Sequence, residues 1–229
     1  LVAYRLVDFH HIKTIFLSSK SETAVLLVTF FATLFVELEF AIYVGVMMSL
    51  VMYLNRASRP RIVSRVPDPN SPVRHMLSAS NDQECPQLKI VRIDGSLFFG
   101  AVDHVRQAFN SFELQDPEQK HLLIVGNGIN FIDVAGAELL VQEARKRRAR
   151  GGGLYLAKVK DDVCRILRRG QFVQQIGPEN IFNTKAEAIT TIYSRLNRER
   201  CAGCERRIFS ECGATDGGTP QTLPQPSVA

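Results

Sequence analysis

Charge is almost absent from one stretch of this 229-residue chain: between Thr23 and Leu54 the only charged residues are Glu37 and Glu39. From Asn55 onward charges are frequent, and the whole chain has a net charge of +5 with 22% charged and 45% hydrophobic residues. Those averages are ordinary for a folded chain and exclude wholesale disorder. The asymmetry excludes a protein that is water-soluble throughout and points to a membrane-attached segment followed by a soluble domain. Cysteine is scarce: five residues, three of them in the tail, are too few and too clustered for an extracellular disulfide framework. No signal-peptide pattern with a cleavage site follows Leu1, and without a leading Met the chain reads as a fragment whose upstream part is missing. No Ser/His/Asp or Cys/His constellation is legible, so catalysis is not expected, and neither is a cofactor. Gly126-Asn127-Gly128 lacks the third glycine and the Walker lysine of a phosphate cradle and reads as a turn.

What is present begins with two charge-free runs, Thr23–Val36 and Phe40–Leu54. As one helix, Thr23–Leu54 would run roughly 48 Å at about 1.5 Å per residue. That overshoots a hydrocarbon core of about 30 Å and buries Glu37 and Glu39 at about 3 kcal/mol each. A hairpin of two short helices puts Glu37-Leu38-Glu39 at a turn on the far surface and removes that cost. Arms shorter than about 20 residues are tolerated where other helices shield their ends. Arg5, Lys13 and Lys20 precede the hairpin and Arg56, Arg59, Arg61 and Arg65 follow it, so the positive-inside rule sets both flanks in the cytoplasm. Ala41, Gly45 and Ser49 recur every four residues, a stripe of small side chains along which another helix can approach. Residues 1–22 read as a cytoplasmic or interfacial lead-in, with His10 and His11 solvated, and residues 23–54 as a transmembrane hairpin in the lipid bilayer.

Five of the ten prolines fall between 57 and 87, a density that breaks helices and sheets, so 55–87 reads as a linker. Regular patterns follow. Gln87–Ile93 alternates like a strand, and Ser96–Phe99 continues it after Asp94-Gly95 as in a hairpin. Ala101–Glu113 has helical spacing, His121–Val125 is a buried-type strand, and Ala135–Arg150 is a helix stopped by Gly151-Gly152-Gly153. Leu154–Val159 is a strand; Asp161–Arg169 and Lys185–Asn197 are helices. The expected fold of 88–198 is α/β, a mixed sheet with helices packed on it. Residues 199–229 read as a Cys-containing, largely disordered tail.

Thr29-Phe30, Thr33, Glu39, Gly45-Val46, Ser49-Leu50 and Ser58-Arg59-Pro60 resemble the end of the membrane part of a sulfate permease (SulP) family anion transporter. VRIDGSLFFG at Val91–Gly100 and FIDVAGAELL at Phe131–Leu140 resemble that family's cytoplasmic STAS domain. The resemblance implies the C-terminal part of a multi-pass inner (plasma) membrane anion transporter with a regulatory, cytoplasmic STAS domain. The rival is a membrane-tethered STAS signalling module without transport. Implied partners are the remaining transmembrane helices, a second copy in a homodimer, and an acidic protein such as acyl carrier protein, with nucleotide a weaker candidate. Sulfate, bicarbonate and dicarboxylates all occur as substrates in the family.

Two candidate contact regions share one helix. Asp133, Ala135 and Gly136 stand at its start, where Asp133 can cap the helix or form part of a docking loop. In the anti-sigma-factor antagonists that share the STAS fold, a serine two residues after this Asp is phosphorylated; the position here is Ala135, which has no hydroxyl. At the helix's far end Arg145, Lys146, Arg147, Arg148 and Arg150 read either as a solvated terminus favoured by the helix dipole or as a surface for anionic lipid or an acidic partner. Nucleic acid is not expected, because no aromatic interleaving or binding motif accompanies the run. Cys201 and Cys204 in CxxC spacing, with Cys212, are weak metal-ligand candidates, since four ligands are normal and no histidine follows. Redox chemistry and a reduced, mobile tail are the other readings. Cys85 and Cys164 read as isolated thiols, and His75, His104 and His121 as surface or boundary residues.

Overall fold

The computed structural model describes residues 9–18, 20–68, 76–78 and 84–213. The lead-in over 1–8, His75 and the tail beyond 213 lie outside the described residues. Residues up to Ala57 form one compact unit and those from Ser58 another.

The first unit is helical: α1 (Phe9–Ser18), α2 (Lys20–Phe35) and α3 (Leu38–Ala57). Val36 and Glu37 make the turn between α2 and α3, and Glu39 falls in the first turn of α3, where the helix dipole favours a carboxylate. The two helices run antiparallel and approach closely at Gly45, where a Cβ would stand 2.8 Å from Thr29 Oγ1. Ala41 is fully buried. The small-residue stripe is thus used by the hairpin itself, with Ser49 exposed farther along α3. Most of the large apolar side chains face outward: Phe35 is 82% exposed, Tyr43 67% and Tyr53 68%. Among the described residues only α3, with 20 residues, is long and apolar enough to cross a membrane by length and composition; α2 has 16 residues.

The second unit is built on a mixed sheet. Its strands are β1 (Arg61–Pro67), β2 (Met76–Ser78), β3 (Leu88–Leu97), β4 (His121–Val125), β5 (Ile129–Ile132), β6 (Gly153–Ala157) and β7 (Ile181–Phe182). The spatial order is β2-β1-β3-β4-β6-β7, with β5 pairing the far half of β3. β1 is antiparallel to both neighbours, whereas β3, β4, β6 and β7 run parallel. The helices are α4 (Val102–Gln115), α5 (Val134–Ala149), α6 (Asp161–Arg169), α7 (Phe172–Ile176), α8 (Lys185–Ser194) and α9 (Arg198–Ala202). Strand alternation divides the apolar side chains between two cores. Val91, Ile93, Leu122, Ile124, Leu154 and Leu156 pack with α4, α5 and α6. Leu88, Ile90, Leu123, Val125, Tyr155 and Ala157 pack with α8 and with Phe209. Every residue of β4 is buried, as expected of a parallel strand covered on both faces.

Three expectations are corrected here. The linker assigned to 55–87 contains β1: Pro60 and Pro67 stand just before and at the end of the strand, where a missing N–H is tolerated, and Ile62, Val63 and Val66 supply β-branched residues between them. The hairpin at Asp94-Gly95 does not form. β3 runs straight through, with Gly95 at φ +141 and a register shift between Gly95 and Leu97 where the strand changes partners to β5. Only glycine adopts that backbone without strain, and a Cβ there would stand 2.9 Å from Pro60. The tail is ordered through its cysteines, because Phe209 is buried in the second core and Cys201, Ile208 and Cys212 pack against it.

Candidate functional site at the two ends of helix α5

β5 ends at Ile132, and Asp133 turns the chain into α5 with extended backbone. Its Oδ1 accepts from Gly136 N–H at 2.8 Å and its Oδ2 from Phe99 N–H at 2.8 Å. One carboxylate therefore caps α5 and holds the end of β3 beside it. The Asp133 N–H donates to Leu97 O at 3.1 Å. Gly136 is the point of closest approach: a Cβ there would press into the carbonyl of Leu97, so no larger residue lets α5 sit on β3 at this spacing. Ala135 is half-buried and offers no nucleophile or modifiable oxygen. Around this satisfied polar centre lie apolar side chains: Phe99 is 81% exposed, with Val134 and Phe131 also exposed. Periodicity hid these three residues, since alternation or helical spacing does not mark which apolar residues stay outside.

The basic end of α5 differs from its expected role. Arg147, expected at a solvated terminus, is buried at 2% exposure. It pairs with Glu143 at 2.6 Å and donates to Gln119 O at 3.0 Å. Lys146 and Arg150 both bind the Glu113 carboxylate, at 2.5 and 2.9 Å. That hydrogen bond from Lys146 is the chief reason the Glu113 carboxyl lies below its ordinary value. Arg145 donates to Gln175 Oε1 at 2.7 Å, and Arg148 to Ile176 O at 3.1 Å. Each basic head in the run has an intramolecular partner, so reversing the charge of Arg147 would strand Glu143 and disturb the fold.

His121 is also not a surface residue. It is buried, with Nδ1 3.1 Å from Tyr155 Oη. Burial, and then the positive charges of Arg147, Arg195 and Lys120, push its pKa down to about 4. Buried Lys89 donates to both oxygens of buried Glu84, at 2.8 and 2.6 Å, a pair concealed in sequence by the strand alternation around it.

The fold brings Cys85 to the tail cysteines. Cys85, Cys201, Cys204 and Cys212 all line one cavity of about 520 Å³. Cys164 lies apart, in α6, beside Val159 O. Burial pushes the Cys85 thiol up to about 11 and raises Cys201 and Cys212 as well. Among the described residues no three His, Cys, Asp or Glu side chains already stand where they could jointly hold a metal.

A sheet of this order, with a capped helix following β5, defines a class: residues 79–188 match the STAS domain family, and the second unit contains a STAS domain. Beyond that domain, sulfate transporter 1.3 of Arabidopsis thaliana is 25% identical over 205 residues, covering 85% of this chain and 31% of that protein. Sulfate transporter 1.1 of the same plant is 24% identical over 181 residues, covering 75% of this chain and 28% of that protein. The solved structure of the murine Solute Carrier 26 family member A9 anion transporter superposes with a TM-score of 0.71 at 18% identity, over 83% of this chain and 31% of that one. Residues 79–188 carry a STAS domain, and the chain around it is similar to the C-terminal region of sulfate transporters. It spans about 30% of the length of the curated relatives it matches.

Proposed function

We propose that this chain is the C-terminal part of a secondary-active anion transporter of the sulfate type, supplying its last membrane helices and a regulatory cytoplasmic STAS domain. The observation that carries the reading is the extent of the matches to sulfate transporters. At up to 85% of the chain they take in apolar helices as well as the STAS domain, whereas a signalling module would share the domain alone. In this reading α2 and α3 cross the plasma membrane as a hairpin in a multi-pass protein, with both flanks cytoplasmic. The remaining transmembrane helices are the first partner. The STAS domain is a docking surface centred on the Asp133–Gly136 loop, open to those helices, to a second copy or to an acidic protein such as acyl carrier protein. The exposed heads of Arg145, Lys146 and Arg148, with the half-buried Arg150, form a secondary basic rim that must give up internal bonds to bind.

The decisive experiment places the full-length product of this reading frame in proteoliposomes and measures uptake of sulfate, bicarbonate and dicarboxylates. Saturable uptake of one of them supports the reading. A product with no hydrophobic spans ahead of α2, or with none of the three fluxes, overturns it in favour of the tethered module. Topology is checked independently by thiol labelling in sealed cells, against the parental chain. Glu37→Cys should react from outside, and Ser64→Cys only after permeabilisation.

A further inference from the structure

The apolar pattern of the second core breaks at one point along β3. Leu88 and Ile90 are buried in that core, and the next side chain on the same face is Arg92. Strand register gathers further cations around it. Val63 of β1 pairs with Arg92, and Arg92 pairs with Val125 at the end of β4. Alternation therefore puts Arg65, Arg92 and Val125 on one face of the sheet. Met76 of β2, opposite Pro67 of β1, falls on that face too. Val125 is in register with Ala157 of β6, and Ala157 with Phe182 of β7. Thr184 then caps α8, and Lys185 opens it. Arg65, Met76, Arg92, Val125, Asn127 and Lys185 thus line one cavity of about 160 Å³. It lies at the carboxyl ends of parallel strands, the edge at which open α/β sheets place their ligands.

We propose that this cavity binds one tetrahedral oxyanion, of the sulfate and inorganic phosphate class. Three cationic side chains from three separate elements converge on it, and among the described residues no carboxylate lines it. Asp94 Oδ1 accepts from Arg92 Nε at 2.6 Å, a bond that fixes the guanidinium and engages one of its five N–H donors. Lys185 registers the gathering of charge: burial, and then the positive charges of Lys158 and Arg92, hold its ammonium below the ordinary lysine pKa. A dianion set among these groups turns their mutual repulsion into attraction, and the planar arginine forks suit its oxygens. The exposed Asn127 adds an amide donor. Size sets the class of ligand. The cavity is well below the roughly 300–1,000 Å³ of pockets that enclose drug-sized molecules, so it admits a single oxyanion and has no room for a sugar or a base. An anion there ties β1 and β3 to the start of α8. The site belongs wholly to the second unit, so it stands whether or not the full-length protein transports an anion.

The test uses the full chain in detergent, with chloride as the only other anion. Isothermal titration calorimetry with sodium sulfate, and separately with sodium phosphate, should show saturable one-site binding of at least one of the two. The melting temperature should rise with that ligand, as it must when the folded state alone binds. Arg92→Gln and Lys185→Gln should each weaken affinity about tenfold or more, the scale of one lost charge-assisted hydrogen bond. Arg169→Gln removes the same charge from the exposed end of α6, which packs on the opposite face of the sheet through Val163 and Leu167; it should leave affinity unchanged. Because Arg92 holds Asp94, circular dichroism checks that its variant is folded, and Lys185→Gln, at a partly exposed helix start, carries the test if it is not. Heats no greater than those of sodium chloride at matched ionic strength overturn the proposal. So does an equal loss in the Arg169 variant. Adenosine monophosphate binding tighter than both inorganic anions, with the same dependence on Arg92, overturns it as well, because the occupant is then a nucleotide.

Discussion

The two ends of helix α5 carry opposite lessons about what makes a surface available. At its start a single carboxylate meets two backbone N–H groups and leaves nothing polar unsatisfied, while Phe99, Phe131 and Val134 stay in solvent. At its end five basic residues crowd six positions, and each head is already committed to Glu143, Glu113, Gln175 or a carbonyl. A run of charge reports composition; it does not report free charge. The end that looks reactive in sequence is part of the frame, and the end that looks like a cap carries the open surface.

The largest effect should come from Arg147. Removing it as Arg147→Ala leaves Glu143 buried without its partner, and breaking a buried pair costs about 3–5 kcal/mol. Amide exchange in β4 and β6 reads that loss directly. The double change Arg147→Met with Glu143→Leu should recover most of it, since no charge is then left stranded. Arg145→Ala, at the exposed edge of the same run, should stay within about 0.5 kcal/mol. If Arg147→Ala also stayed within that margin, the contrast between the two ends would collapse.

His121 sharpens the same contrast through pH, because the charges facing it include Arg147 from the basic end. Its pKa in the fold is about 4, against an ordinary value of about 6.5. The unfolded chain binds its proton first, so stability from neutral His121 is complete above about pH 6.5 and is lost as pH falls toward 4. The shift corresponds to about 3 kcal/mol at most. Glu113, whose carboxyl lies below its ordinary value, loses its contribution at lower pH, as its own folded-state proton goes on. Thermal unfolding followed by circular dichroism should show the His121→Gln variant losing less stability than the parent between pH 6.5 and 5, with the slopes converging below 4.

At the capped end, Gly136→Ala should cost about 1–3 kcal/mol as an overpacking change, because its Cβ meets the Leu97 carbonyl. Asp133→Ala should cost about 1 kcal/mol, a typical N-cap loss. Denaturation midpoints of the two variants, compared with Ala135→Ser, check both figures. The serine is expected near neutral, because position 135 is half-buried and its backbone is already helical.

The elements of the STAS domain were largely legible because each signal was local. Asp161–Arg169 has the bounds its helical spacing predicts, and Asp133 caps the helix its position predicts. What stayed hidden depended on partners distant in the chain. β1 was masked by prolines whose strand-edge position only pairing with β3 explains. Gly95 looked like a turn because a bulge and a hairpin ask for the same backbone freedom. Arg147 looked exposed because its acceptor, Gln119 O, is 28 residues away. Cys85 looked isolated because Gln87 holds it to a segment more than 100 residues later.

The smallest effect on stability, and the most informative on function, belongs to Phe99 and Phe131. Both are exposed, so Phe99→Ser with Phe131→Ser removes little buried area and should leave the unfolding free energy within about 0.5 kcal/mol per site. The capping bonds use backbone atoms at Phe99 and the Asp133 side chain, so the substitutions leave them in place. An apolar pair held in water beside a satisfied carboxylate gains only by being covered, and each aromatic removed from a docking surface weakens it without disturbing the fold. Under the proposed function, the double variant of the full-length protein should therefore alter the anion uptake rate while amide exchange in the sheet is unchanged. A drop of more than about 1 kcal/mol in stability would mean these rings belong to the core, and the capped end of α5 would then be frame like the basic end.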